Sequence, residues 1–310
     1  MVSPARRAFL TGRRTAQTPW EAFLSGLRRK IEGKVFDFST QPGSARLVPA
    51  RMTDVYHARS LCAEHGITLA LDGVSQSARL DESPVLWVEP GPDMARFDRM
   101  GTGDSRWFVQ PGCLIGDLEQ AGLAQFRDLP PHLTVAAWLA DREYCDWDQG
   151  RTADSGLLHA MIMLDDGTQA NLGAFGAQNQ KPLDSLRVQQ MIPRLFELLN
   201  PPGDTGPAAP ASADGRPVPA PWWPGRYRLD ALQPDAEGGI NLAHLLLGHG
   251  GDLGWVEWVV LDERAPAWQT RPYEQRYFRR SADLATQHRD RAIKALFDPS
   301  GLFPNPGQQP

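Results

Sequence analysis

The chain has 310 residues, is 41% hydrophobic and 22% charged, and carries a formal net charge of -5, the composition of a soluble globular protein with ample core. That charge excludes a general nucleic-acid surface, which needs clustered Lys and Arg, and no apolar run approaches the roughly 20 residues of a membrane span. Cys62, Cys113 and Cys145 contain no CxxC spacing and leave one over, the pattern of a reducing compartment rather than of a disulfide framework.

The opening "ARRAFLTGRR" starts like a twin-arginine export signal, but no apolar stretch of about 7 to 15 residues follows it. Residues 1–34 are therefore expected to be a basic arm leading into a short helix, and the chain is expected to be cytoplasmic. "VFDFSTQPGSARLVPA" (35–50) reads as strand, turn, strand. "TDVYHARSLCAEHG" follows as a helix with Thr53 as its N-cap, Val55, Ala58, Leu61 and Cys62 on one face, and Gly66 as its C-cap. "ITLALDG" is then a buried strand, so strand, helix and strand form a βαβ unit and point to α+β or α/β packing.

Further strands are expected at Val85–Val88, Trp107–Val109, His159–Leu164 and Trp255–Leu261, with a short amphipathic helix in "IGDLEQAGL". Residues 201–224 hold eight prolines and read as a linker, pinned at its end by Trp222 and Trp223. The last helix is expected to start after Ser281 as N-cap and to stop at Asp298–Pro299. The organisation is an arm and helix over 1–34, a first lobe over 35–130, a second lobe over 131–264, and a helical tail over 265–310.

Six landmarks occur in a characteristic order: "RLVPARMTDVYHARSLCAEHGITLALDG", "WFVQPGCLIGDLEQAGL", "LPPHLTVAAWLA", "GRTADSGLLHAMIMLDDG", "LLLGHGGDLGWVEWVVL" and "LFDPSGLFPNPG". In this order they resemble the FAD-linked oxidases of the vanillyl-alcohol oxidase and p-cresol methylhydroxylase type. The resemblance implies an α+β fold in which two lobes hold a non-covalent FAD, with loop amides gripping the pyrophosphate. It implies FAD contacts from Asp72, Gly73, Val74, Ser75, Gln76 and Ser77; from Pro131, Thr134, Val135 and Ala136; from Gly150, Thr152 and Asp154; from Gly250, Gly251, Asp252, Leu253 and Gly254; and from Asn305.

Three departures stand out. The first loop, "DGVSQS", keeps only Gly73 where the family has two or three glycines. The family's Thr-x-Gly-Gly turn reads Thr134-Val135-Ala136-Ala137, and alanine disfavours positive φ. The substrate cap that should follow Leu261 is absent, a shortened plan similar to the small FAD-binding subunit of glycolate oxidase.

Read from the residues alone, "GHGGDLG" (248–254) is a tight turn between an apolar segment and a strand; the resemblance places it beside the flavin. Asp146, Asp148 and His249 are the candidates for catalysis, each with a plainer reading as a loop carboxylate or turn histidine. No metal spacing is present. Two functions follow. One is a FAD-dependent oxidoreductase, or its FAD-binding subunit, that moves hydride from a small 2-hydroxy acid such as glycolate or D-lactate to flavin. The other is a FAD-free scaffold on the same fold that docks to a partner flavoprotein, an iron–sulfur subunit or a second copy of itself.

Overall fold

A computed structural model describes residues 18–74, 80, 82–176, 183, 185–200, 223–234, 239–268 and 284–306. The expectations for the basic arm, Ser75–Ser77, most of the Pro-rich stretch with Trp222, and Ser281 lie outside the described residues.

Helix α1 (Pro19–Lys30) begins with a capping box. Thr18 Oγ1 accepts from Glu21 N at 3.2 Å while Thr18 N donates to Glu21 Oε2 at 2.9 Å, so two otherwise orphan amides are satisfied. Its apolar face buries Phe23, Leu24 and Leu27. Strand β1 (Lys34–Asp37) turns back antiparallel onto β2 (Ser44–Val48). Helix α2 (Met52–His65) buries Val55, Ala58, Leu61 and Cys62, as the periodicity requires, and ends on Gly66 at φ 64°.

Its start corrects the expectation for Thr53. The N-cap is Arg51, with no side-chain cap bond. The work falls to Asp54, whose buried carboxylate accepts from Ala50 N (2.9 Å), Glu32 N (3.1 Å) and Gly33 N (2.9 Å). One side chain thus ties the helix start to the α1–β1 link. Strands β3 (Thr68–Leu71) and β4 (Val85–Val88) complete a sheet of order β1-β2-β4-β3, in which β4 slots in parallel between the two strands of the βαβ unit.

The second sheet is antiparallel throughout, with order β5-β6-β11-β7-β8. Its members are β5 (Phe97–Arg99), β6 (Arg106–Val109), β7 (Leu157–Met163), β8 (Gln169–Leu172) and the long central β11 (Trp255–Asp262). Between β6 and β7 lie two short helices, α3 (Ile115–Gln120) and α4 (Val135–Ala140). Small strands β9 (Ala174–Phe175) and β10 (Ile240–Asn241) pair with each other.

Helix α5 (Leu186–Leu199) went unread in the sequence; it accommodates Pro193 and buries Val188, Met191, Ile192 and Leu195. Helix α6 (Leu284–Phe297) stops at Asp298, as expected. Trp138 is the largest wholly buried side chain, edge-on to Phe126 (5.0 Å) and to Trp147 (6.3 Å).

The two sheets meet along a continuous apolar seam. Ala136, Ala140, Met163 and Trp255 pack with the leucines of β3 and β4 and with Leu302 and Phe303 from the chain's last stretch. Leu69 N donates to Leu302 O at 2.9 Å. Across the seam Arg59 donates to Asp165 O (2.9 Å). Glu257 accepts from the Tyr56 hydroxyl and from Gln169 Nε2 (3.0 Å). Among the described residues no helix is long and apolar enough to cross a membrane. The fold is mixed helix and sheet.

Candidate functional site

The glycine-rich turn between the 3-10 segment Leu242–Leu246 and β11 packs against the end of α4. Gly248 N donates to Leu139 O (2.8 Å) and Gly250 N to Ala140 O (2.7 Å), so the turn closes the C-terminal end of α4, whose last carbonyls would otherwise be orphaned. Both glycines have positive φ, 72° and 71°. At Gly250 a Cβ would also stand 2.3 Å from the Arg226 guanidinium, so backbone conformation and close approach both demand glycine.

Asp252, fully buried, receives Arg226 Nε and Nη2 at 2.5 Å each and the Tyr227 hydroxyl at 3.2 Å. The Asp252 carbonyl accepts from Lys294 Nζ at 2.7 Å, and the same ammonium pairs with the Asp298 carboxylate. Burial lowers the Lys294 pKa, opposed by Asp298. Asp298 also holds Leu302 N and Phe303 N (2.9 Å each). The turn is thereby locked to α6 and to Phe303 by buried charge.

His249 lies inside this frame, 1% exposed, and neither ring nitrogen has a protein partner. Burial, helped by the charges of Arg226 and Lys294, pushes its pKa down from 6.5 to about 3. A neutral, buried imidazole of this kind is a poor general base at neutral pH.

Thr134 is the N-cap of α4, its hydroxyl accepting from Ala137 N (3.2 Å). Val135 N donates to Cys113 O (2.9 Å) and Ala136 N to Pro111 O (3.0 Å). The amides that a helix start offers to an anion are already engaged by the chain itself. On the facing loop, Asp72 N donates to Val88 O (2.9 Å), Gly73 N to the Asp72 carboxylate (2.9 Å), and that carboxylate also meets Arg46 (2.7 Å).

These segments converge. A Cβ at Gly73 would lie 3.8 Å from that of Ala137, and Leu69, Leu71, Ala136, His249, Gly251, Gly254, Trp255, Val256 and Phe303 surround one cavity. That cavity measures about 10 Å³, the room of a single water. Trp255 and Phe303 line that space, and the amides of Val135, Ala136, Gly248 and Gly250 already have protein acceptors, whereas the His249 ring nitrogens and Trp255 Nε1 have none.

The other expected contacts lie elsewhere. Gly150 N donates to Asp230 (3.2 Å), Thr152 Oγ1 meets His244 Nδ1 (3.0 Å), and Asp154 pairs with Arg151 (2.6 Å). Asp146 and Asp148 are half-buried in a loop whose carbonyls, at Trp147 and Asp148, accept from Arg228 (2.8 and 3.1 Å). Arg228 is in turn paired with buried Asp230 (2.6 Å). Pro131 packs against Gly116, and Asn305 is exposed. The Cys145 thiol is buried, donates to Trp138 O (3.1 Å), and is held protonated by burial. Sequence reasoning missed Arg226, Lys294 and Phe303; the signal available for the last was the apolar pair in "SGLFPN".

No protein-family model matches the sequence, and no curated protein does. Solved structures similar in outline include 4-ethylphenol oxidase from Gulosibacter chungangensis in its isoeugenol complex (13% identity, TM-score 0.44, covering 80% of this chain and 43% of that one). Chitooligosaccharide oxidase aligns at 13% identity and TM-score 0.42 over 78% of this chain and 43% of its own. Wild-type BBE-like 1 of Physcomitrella patens aligns at 10% identity and TM-score 0.43 over 77% and 44%. The chain spans less than half the length of each, and the likeness is one of outline.

Proposed function

We propose that the chain is a flavin-free interaction subunit on the two-lobed plan of the FAD-linked oxidases, docking onto a partner oxidoreductase that is a flavoprotein or iron–sulfur subunit. In this reading residues 35–130 and 131–264 are the two lobes, and the helical tail returns to seal them. One observation carries it. Where Gly73, Ala136, Gly251 and Gly254 draw together, the remaining space holds one water, and the neighbouring amides of Val135, Ala136, Ala137, Gly248 and Gly250 already have protein acceptors. A pyrophosphate entering there would have to break those bonds and expel Trp255 or Phe303.

The same convergence supports a second reading, since segments far apart in sequence draw together around His249. In that reading the chain is a FAD-dependent oxidoreductase acting on a small 2-hydroxy acid such as glycolate or D-lactate, and the seam opens to admit the cofactor. Three measurements separate the two: the visible spectrum of freshly purified protein, mass spectrometry of any released small molecule, and titration with FAD. The flavin-free reading expects colourless protein whose added FAD stays free. Flavin absorbance bands, or saturable uptake of FAD, would end it in favour of the second. Light scattering of the same sample tells a second copy of the chain from a different partner.

A further inference from the structure

Strand β1 is an edge strand among the described residues, paired only with β2. Phe38 N donates across the hairpin to Ser44 O (2.9 Å). The alternation of an antiparallel ladder then turns the N–H and C=O groups of Phe36 toward β2 and those of Val35 and Asp37 outward. An unpaired edge of this kind is a template for another strand. The side chains alternate as well. Val35 packs on the core beside Trp20, whereas Phe36 and Phe38 lie on the opposite face, 49% and 45% exposed. The Arg46 guanidinium lies 5.7 Å from the Phe38 ring centre.

The charge beside this edge is mostly positive, Asp37 being the exposed carboxylate on the strand itself. Arg28, Arg29 and Lys30 are exposed in the last turn of α1, which leads directly into β1, and Lys34 opens the strand. None of the four meets a carboxylate among the described residues. Glu32, the acid between them, is engaged by Arg51 at 2.6 Å. Several arginines elsewhere are matched: Arg46, Arg99, Arg106, Arg187 and Arg264 each hold an Asp or Glu. Four unmatched cations on a chain of net charge -5 mark a place suited to negative charge.

We infer that the outer edge of β1 docks an extended, acidic segment of a partner protein as an added strand. Its backbone pairs with Val35 and Asp37, its apolar side chains lie beside Phe36 and Phe38, and its carboxylates, on the other face, meet Arg28, Arg29 and Lys30. The inference rests on the interaction-subunit reading and supplies that subunit's contact.

The test is fluorescence anisotropy with a labelled peptide alternating glutamate and valine, titrated with the full chain. The expected result is saturable binding that weakens as salt rises and is absent for a lysine–valine peptide. Val35→Pro removes an outward N–H at a position where an edge strand tolerates proline, and should weaken binding at least about tenfold, the effect of losing about 1.4 kcal/mol. The same peptide N-methylated on its pairing face should lose binding to the unaltered protein, so the outcome does not depend on how Val35→Pro folds. No binding of the glutamate–valine peptide, or binding indifferent to N-methylation, overturns the proposal. So does capture by phosphatidylglycerol vesicles without peptide binding, which would assign the cations to a lipid surface. Yellow protein that binds the peptide would sink the flavin-free reading and leave this one standing.

Discussion

The seam between the sheets and the outer edge of β1 use charge in opposite ways. In the seam, Lys294, Asp252 and Asp298 are buried, Arg226 is half-buried, and all four are joined to one another or to main chain. At the edge, Arg28, Arg29, Lys30 and Lys34 stand without a carboxylate among the described residues. Buried ions must be paired or they destabilise the fold, whereas exposed ones cost little to leave single and remain available to a visitor. The contrast teaches where to look for recognition if the flavin-free reading holds: on the rim of the sheets.

Substitutions should separate the two regions by size of effect. Asp298→Ala should be the most damaging, because it leaves Lys294 buried without its counter-charge and frees two amides; about 3–5 kcal/mol of stability should disappear in urea denaturation. Phe303→Ala should cost about 3 kcal/mol. It should also enlarge the cavity, and repeating the FAD titration on this variant asks whether Phe303 alone keeps a cofactor out; uptake gained here would favour the second reading.

His249 gives a pH signature. Its folded pKa is near 3 against 6.5 for the ordinary group. Above pH 6.5 both states are neutral and it contributes nothing to the pH dependence. As pH falls from about 6.5 toward 3, the unfolded chain binds a proton that the folded chain refuses, and stability drops by roughly 1.4 kcal/mol per pH unit from this group. His249→Leu should flatten that part of a denaturation series measured at stepped pH; an unchanged slope would mean the histidine reaches solvent. Thr134→Ala, which removes the α4 N-cap, should cost about 1 kcal/mol in the same assay. Phe36→Ser and Phe38→Ser should move stability by no more than about 0.5 kcal/mol, and a larger loss would show that the edge is packed rather than open.

Much of the framework was legible in local pattern. Val85–Val88 and the central strand from Trp255 announced themselves as apolar runs between turn residues, and α2 by the spacing of Val55, Ala58, Leu61 and Cys62. Gly66 was read correctly because a left-handed helix end has one favoured occupant. Thr53 misled because cap preference is a statistical rule about side chains near a start, and here Asp54 met the need through contacts some twenty residues away. Helix α5 was concealed by Pro193, although Val188, Met191, Ile192 and Leu195 carried the helical period around it. At the candidate site the sequence pointed to segments that do approach one another. What it could not show is that Phe303 and Trp255 fill the space between them, since packing between distant segments leaves no local periodicity.

The position of β11 has a consequence for how the protein is made. Its neighbours β6 and β7 emerge from the ribosome well before it, and the four-stranded sheet is complete by Val88. During synthesis the second half must therefore wait as separate hairpins with open flanks, the state in which nascent chains are most prone to misassociate. The arrival of Trp255–Asp262 closes that gap, and Leu302 and Phe303 follow to fasten the halves together. Chaperone dependence should therefore be heaviest for nascent chains stalled before residue 255.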